Sequence, residues 1–433
     1  MLPVGLQTIG ATVLFTTFDV ATALLLRLVC LRAVAVESCD WETELEKWMD
    51  EDTRSPGSTS TISSPCPVTT AEEATTTTQT TTGSTCRMEE RNRNAPLSSS
   101  GSDQHMQQLP DAVVAVYLLN PILAAQCAAL SGDVLGRVLP LAALAAAGRR
   151  DFGRQGTALV VTAALAAATC LWRFHAAPLL LPAALMLRRA SKAPTSRDSY
   201  PGVSSFDPLR LDFDTKEFVH LCIMFAAWCV VFLGACWLST SPSWGFLRAA
   251  VSGQLLCEDL TPNAGLYWYF FAEVFPRFRG FFLVLFLSQP YVYVLPVVLR
   301  LGMFPEATAT LLVAIFGFFQ PYPTLGDPVL AGCLFLCHPR TARRMRVVIP
   351  VCLAAAVPSL LLPTMRHLWL KSGTGNANFY YFQTVVLNVL LSIFVLQFAA
   401  ALVKRRKALR QAFEKRRRGA AAASSDSCGN GSD

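Results

Sequence analysis

Charge is scarce in this chain. Only 15% of its 433 residues are Asp, Glu, Lys or Arg and 52% are hydrophobic, whereas an ordinary soluble domain carries about 25% charged residues. With a mean hydropathy of +0.39, this excludes a water-soluble enzyme. From Leu109 onward the apolar stretches recur too often to be absorbed by one buried core, so most of them face lipid or one another. Catalytic signatures are missing as well: there is no GxSxG, HExxH or P-loop, and His105, His175, His220, His338 and His367 are scattered over separate segments. The 14 cysteines include no CxxC pair. Cys222, Cys229 and Cys236 recur seven apart and Cys333 and Cys337 four apart, which marks helix faces bearing small hydrophobes rather than zinc or redox chemistry. No catalytic residue, metal ligand or cofactor is expected.

What is present is concentrated. The 37 basic and 30 acidic residues give +7, but 404–418 alone holds nine basic residues and one acid, or +8, which leaves −1 for the rest. The basic balance therefore reports one tail and no nucleic-acid surface, and such a cluster beside a span stays in the cytoplasm. Four regions follow: a first span at 1–36, an insert at 37–109, a polytopic membrane domain at 110–403 and a basic cytoplasmic tail at 404–433. The apolar stretch Leu6 to Val36 is too long for a signal-peptide core, and Arg27 and Arg32 at its far end place its start in the lumen. A chain beginning that way leads us to expect a further helix upstream. The insert passes from acidic to Ser/Thr-rich sequence that cannot bury enough apolar surface to fold, apart from a short helix around Trp41 to Trp48. A glycosylated mucin-like loop is the rival reading. The sequon at Asn430 falls in the cytoplasmic tail and should stay unused.

Beyond Pro110 the Arg/Lys-rich connectors fall on one side if the spans alternate as Asp111 to Leu130, Val134 to Ala147, Thr157 to Trp172, Pro178 to Leu187, Phe218 to Leu238, Phe278 to Leu299, Phe304 to Phe319, Pro328 to Cys337, Val347 to Leu370 and Phe379 to Val403. That predicts about eleven spans, several shorter than the ~20 residues a perpendicular helix needs. Pro121, Pro140, Pro182 and Pro328 predict kinked or partly penetrating helices.

Polar residues gather in the segments this trace leaves in the lumen. In CEDLTPNAGLYWYFFAEVF, Asp259, Thr261 and Asn263 bracket Pro262 as turn formers, and Tyr267, Trp268 and Tyr269 read as an interfacial aromatic belt or as the edge of a headgroup site. Glu273 either pairs with Arg277 at i+4 or faces a polar cavity. Asp19, at lipid depth with no sequence-near partner, requires a bundle neighbour or a water-filled pocket. Lys371, Asn376 and Asn378, with Asn388 on the next helix, either donate to sugar and phosphate or merely end and restart helices; Asn120, Gly326 and Asp327 invite the same two readings. A catalyst, a carrier and a lipid-binding subunit all fit these residues.

Four stretches together resemble the PIG-U family, the polytopic subunits of the endoplasmic-reticulum GPI transamidase: VYLLNP at Val116 to Pro121, DLTPNAGLYWYFFAEVF at Asp259 to Phe275, YPTLGD at Tyr322 to Asp327 and HLWLKSGTGNANFYYF at His367 to Phe382. All four occur in the family's order. The resemblance implies an all-α polytopic bundle related to the mannosyltransferase-like GT-C membrane fold. It also implies a non-catalytic role, the transfer chemistry belonging to a separate cysteine-protease-like subunit, PIG-K, with PIG-T, PIG-S and a GAA-type subunit as further partners and the GPI lipid as ligand. FTTFDVATALLL resembles the family's second helix, which again suggests a first helix and its luminal loop upstream. On this basis Asn120, Asp259, Asn263, Asp327, Asn376 and Asn378 are the candidate headgroup contacts, in a multi-pass endoplasmic-reticulum membrane protein with a cytoplasmic C-terminus. Two rivals stand beside it. A dolichyl-phosphate-mannose-dependent mannosyltransferase would need an acid in the first luminal loop, and a transporter would need a repeat that the sequence does not show.

Overall fold

The computed structural model describes residues 4–37, 101–149, 155–192, 211, 213–240 and 243–429. Among them the regular structure is entirely helical: α1 Val4–Glu37, α2 Gly101–Leu118, α3 Pro121–Ala128, α4 Asp133–Ala147, α5 Gln155–Trp172, a 3-10 turn Phe174–Leu179, α6 Leu180–Lys192, α7 Thr215–Ser239, α8 Gly245–Gln254, α9 Tyr267–Glu273, α10 Pro276–Leu301, α11 Pro305–Phe319, α12 Gly326–Leu336, α13 Pro339–Ala342, α14 Val348–Leu370 and α15 Ala377–Gly429. Prolines at the start of α3, α10, α11 and α13 give up no intrahelical hydrogen bond there and preset the first turn. Most of the insert (38–100), with the helix expected near Trp41, lies outside the described residues, as does the sequon at Asn430. The insert's last part differs from expectation, because α2 already begins at Gly101.

Five helices are long and apolar enough to cross a membrane: α1, α7, α10, α14 and α15. A sixth is the pair α2 and α3, bent by 49° at Leu119 and Asn120, where Pro121 cannot continue the first helix's hydrogen bonding. Of the roughly eleven spans expected, several of them short, five or six among the described residues are full-length; α11 and α12 have only 15 and 11 residues, about 22 and 16 Å at 1.5 Å per residue. These short helices form the interior. Nearly every side chain of α11 is buried, from Pro305 to Phe316, and its Leu311 and Leu312 share one core cluster with Phe335, Phe398 and Leu402. The long helices expose apolar residues outward, among them Val230 on α7, Val284 on α10 and Ile349 and Leu360 on α14. Outward-facing Val, Ile and Leu on long apolar helices suit a hydrocarbon environment.

Charge sits in the bundle at two levels. In the first, Arg137, 1% exposed, donates to Gln126 Oε1 at 2.7 Å and lies 3.4 Å from Asp19. Arg173 reaches Asp327 at 3.0 Å and Asp133 at 3.6 Å. Asp19 therefore has the bundle partner its position demanded. Two glycines allow this crowding: a Cβ on Gly326 would lie 2.4 Å from Arg137 Nη1, and one on Gly136 would lie 2.4 Å from Arg173 Nε. In the second level, Glu306 lies 3.3 Å from Arg32 and 3.4 Å from Arg189. Asp19 and Arg32 are thirteen residues apart on α1, and Glu306 and Gln320 fourteen apart along α11, so the levels stand about 20 Å apart. Asp133, Arg173 and Asp327, at three connectors, meet at the first level, and Arg32 and Arg189 lie at the second, the side to which the charge trace assigns the Arg-rich connectors.

The basic tail departs from expectation. It is no separate segment, since α15 runs unbroken through it. Leu402, Arg405, Leu409 and Ala412 form a buried stripe, with Arg405 donating to Thr341 Oγ1 at 3.1 Å and lying over the Phe304 ring at 4.6 Å. Spacings of 3, 4 and 3 keep these side chains on one helix face. The glycine crowding yields a prediction: Gly326→Ala should cost about 1–3 kcal/mol because Arg137 and Gln126 must both shift, whereas Gly332→Ala, whose Cβ meets nothing within 4 Å, should cost nothing. Melting temperatures of the two purified variants measure the difference.

Candidate functional site

Three of the four sequence motifs converge at the end of the bundle that holds the first charged level. The segment Leu256 to Leu266 is irregular, so its backbone polar groups need partners from elsewhere. Asp259 Oδ1 accepts from Thr261 N at 2.9 Å and Thr261 Oγ1 at 2.6 Å. Asn263 Oδ1 accepts from Gly265 N at 2.7 Å. These are side-chain turns of the kind the motif predicts. Long-range donors then tie the loop down. Tyr322 Oη donates to Asp259 O at 3.0 Å, Asn388 Nδ2 to Ala264 O at 3.0 Å, and Arg279 to Cys257 O at 2.8 Å. The last bond holds Cys257 in a left-handed conformation, φ +48°, which is uncommon for a non-glycine residue. Burial pushes the Cys257 thiol up to about 11, so it is a neutral packing group. The Thr261 hydrogen bonds hold the exposed Asp259 carboxyl below the usual range, and it is ionised at neutral pH.

Behind the loop the aromatic residues pack inward. Trp268 is 4% exposed and sits among Tyr269, Trp369, Tyr380 and Tyr381, with ring centroids 5.4 to 6.1 Å away. Tyr267 Oη lies 2.7 Å from Phe319 O and 3.0 Å from Phe286 O. The interfacial belt expected from Tyr267 and Trp268 is therefore corrected: these rings join α9, α10, α11 and the α14–α15 hairpin. The Glu273–Arg277 pair is corrected too. Val274 and Phe275 are extended before Pro276, so α9 ends before i+4 can be reached, and Glu273 is exposed.

Beneath the loop a small cleft of about 40 Å³ opens between α11, α12 and α15. Ala264 and Pro323 lie at its mouth, Leu391, Phe394 and Val395 form one wall, and Asp327 and Asn388 supply its polar atoms. An apolar cavity with a few convergent polar groups is the usual form of a ligand site. Asp327 is heavily used already: it accepts from Thr324 N at 2.9 Å, Thr324 Oγ1 at 3.1 Å, Gln320 Nε2 and Arg173.

The six sequence candidates therefore separate. Asp259 and Asn263 belong to the loop and Asp327 lines the cleft. Asn378, exposed, accepts from Tyr269 Oη, and exposed Asn376 caps α15 through Phe379 N at 3.2 Å; both stand beside the aromatic cluster. Asn120 is apart from them, capping α3 through Ile122 N at 3.0 Å and not lining the cleft. The amide groups of Asn376 and Asn378 and the second carboxylate oxygen of Asp259 keep unused hydrogen-bonding capacity. Sequence reasoning missed Arg137, Arg173, Arg279 and Gln320. The two signals available were an Arg inside the apolar stretch after Val134 and an Arg directly after Trp172.

Comparison with known families matches this arrangement to one of them. The family model described as GPI transamidase subunit PIG-U matches residues 3–387. The chain belongs to the PIG-U family. It is 36% identical over 163 residues to the GPI-anchor transamidase component PIGU of Cricetulus griseus, an alignment covering 38% of each protein. It is 34% identical over 163 residues to the protein of the same name from Homo sapiens, again 38% of each. With the GPI transamidase component GAB1 homolog of Schizosaccharomyces pombe it shares 36% over 161 residues, 37% of this chain and 40% of that protein. The chain thus spans about two-fifths of the length of the curated relatives it matches. None of these three is named a mannosyltransferase, so that rival reading gains no support from them. In this PIG-U chain the three converging motifs act as one unit, so replacing Asn388 with Leu should cost about 1–3 kcal/mol and speed amide exchange at Gly265 and Leu266 in hydrogen-exchange mass spectrometry; unchanged protection there would separate Asn388 from the loop.

Proposed function

We propose that this PIG-U chain is a non-catalytic membrane subunit of a GPI transamidase, binding the GPI lipid and presenting it to an active site on another chain. The observation that carries the reading is the family match across residues 3–387, and the relatives' names as transamidase components agree with it. The apolar cleft between α11, α12 and α15 contacts hydrocarbon. Asp259 and Asn263 on the loop above it, and Asn376 and Asn378 beside the aromatic cluster, offer acceptors and amide donors to sugar hydroxyls and phosphate oxygens. Asp327 positions the cleft wall through Arg173, and Asn120 acts by capping α3. The attachment chemistry belongs to PIG-K, with PIG-T, PIG-S and a GAA-type subunit completing the assembly.

The protein is placed in the endoplasmic-reticulum membrane with its C-terminus in the cytoplasm, the Arg-rich face being the cytoplasmic one. The short interior helices complete the eleven crossings and the GT-C-like architecture by bridging only the ~20 Å between the two charged levels, while the long outer helices meet the ~30 Å hydrocarbon. On this reading the 37–109 segment is a cytoplasmic insert between α1 and α2.

Two measurements test the proposal. Mild-detergent purification of the tagged chain should recover PIG-K and PIG-T by mass spectrometry, and their absence rejects the subunit role. Substituting Asn376 and Asn378 together with Ala should lower surface display of GPI-anchored proteins, read by flow cytometry in cells lacking the endogenous subunit, by about tenfold, the effect of 1.4 kcal/mol, with the complex intact. Full display would reject the headgroup assignment.

A further inference from the structure

The geometry points to a second lipid site, on the Arg-rich face: a collar of unpaired cations that binds the headgroups of anionic phospholipids in the adjoining leaflet. Three apolar spans end at this face, and each carries cations within about two turns of its last apolar residue. Arg300 lies in the last turn of α10. Arg343 and Arg346 precede α14, and Lys404 and Lys407 follow Val403 on α15. All five are exposed and none has an ion-pair partner among the described residues. The three span ends are held together. Arg405 lies over Phe304, four residues beyond Arg300, and bonds Thr341, two residues before Arg343.

The carboxylates with described side chains near this face are already engaged. Asp111 pairs with Arg27, Asp214 and Glu217 with Arg188, Glu306 with Arg32 and Arg189, and Glu414 with Arg410. Five like charges at one level repel each other, which favours an anionic partner at that depth. Their height decides which anion. They sit where the apolar helices leave the hydrocarbon, at the depth of lipid phosphates, and a Debye length of about 10 Å at 0.1 M salt confines their field to that zone. Arg417 and Arg418, about 20 Å farther along α15, lie beyond it and are not part of the site.

The test uses the full-length protein purified in a neutral detergent and titrated with dioctanoyl-phosphatidylserine or dioctanoyl-phosphatidylcholine, bound lipid being counted by native mass spectrometry. The wild type should prefer the anionic lipid by at least about tenfold, and raising salt from 50 to 500 mM should erode the preference. The variant R343Q/R346Q/K404Q/K407Q should lose it, on the order of fivefold per cation. Arg410→Gln, which removes a cation already paired with Glu414, should keep it. Equal binding of the two lipids, a preference indifferent to salt, or a preference retained in the fourfold variant overturns the proposal. Preferential capture of a poly-glutamate peptide over the anionic lipid also overturns it, in favour of an acidic protein partner. Should the fourfold variant misfold, the wild-type salt titration alone decides. The outcome is independent of whether the chain binds GPI at its other end.

Discussion

A guanidinium held between apolar helices needs compensating partners, and at the two charged levels of this bundle those partners are carboxylates that organise the packing. Arg137 and Arg173 at one level and Arg32 and Arg189 at the other each have an acidic partner within 4 Å. Removing one partner of a buried pair costs about 3–5 kcal/mol, far more than any single apolar contact between helices in lipid, where no hydrophobic effect drives association. The pairs connect segments remote in sequence: Asp19 with Arg137, Arg173 with Asp327, Arg32 with Glu306. They therefore fix which helix faces which, and the packing of Leu, Phe and Ala around α11 fills the space they define.

The candidate site inherits its rigidity from the first of these levels. Asp327 bridges the charged network and the cleft wall through Arg173 and Thr324. Gln320, bound to Asp327, continues from the end of α11, whose last carbonyl is met by Tyr267. From there the aromatic cluster extends to α14 and α15. The loop over the cleft has no regular structure of its own, yet its carbonyls at Cys257, Asp259 and Ala264 are each held by a side chain from a different element. The length of the motifs has this physical meaning: a loop without a regular backbone hydrogen-bond ladder must be specified residue by residue.

The sequence made the helical class and the sorting of connectors onto two faces legible, because both depend on composition and on the side of the membrane that Arg and Lys occupy. It also flagged Asp19 as needing a partner. The identity of that partner was not legible, since it depends on rotations of α1 and α4 about their axes, which mean hydropathy does not encode. Full-length spans and short interior helices were not told apart, because an apolar run of 11 or 15 residues buried within protein reads like one in lipid. Glu273 and Arg277 looked like a helical pair by spacing alone, although Pro276 between them already argued for a break. The candidate amides were recognisable as turn and cap formers, and capping or turn bonding is what Asn120, Asn263 and Asn376 do. Any exterior ligand must use what those bonds leave over.

Helix α15 is gripped twice, by Asn388 bonding Ala264 above and by Arg405 bonding Thr341 below, with one uninterrupted helix between. Adding or deleting a single residue between those grips turns one end by about 100° relative to the other, so both anchors cannot be met at once. Packing constrains the buried side chains along this stretch, Phe398 and Leu402 among them, and the grips constrain the number of residues as well, so the count from 388 to 405 works as a ruler coupling the two ends of the protein.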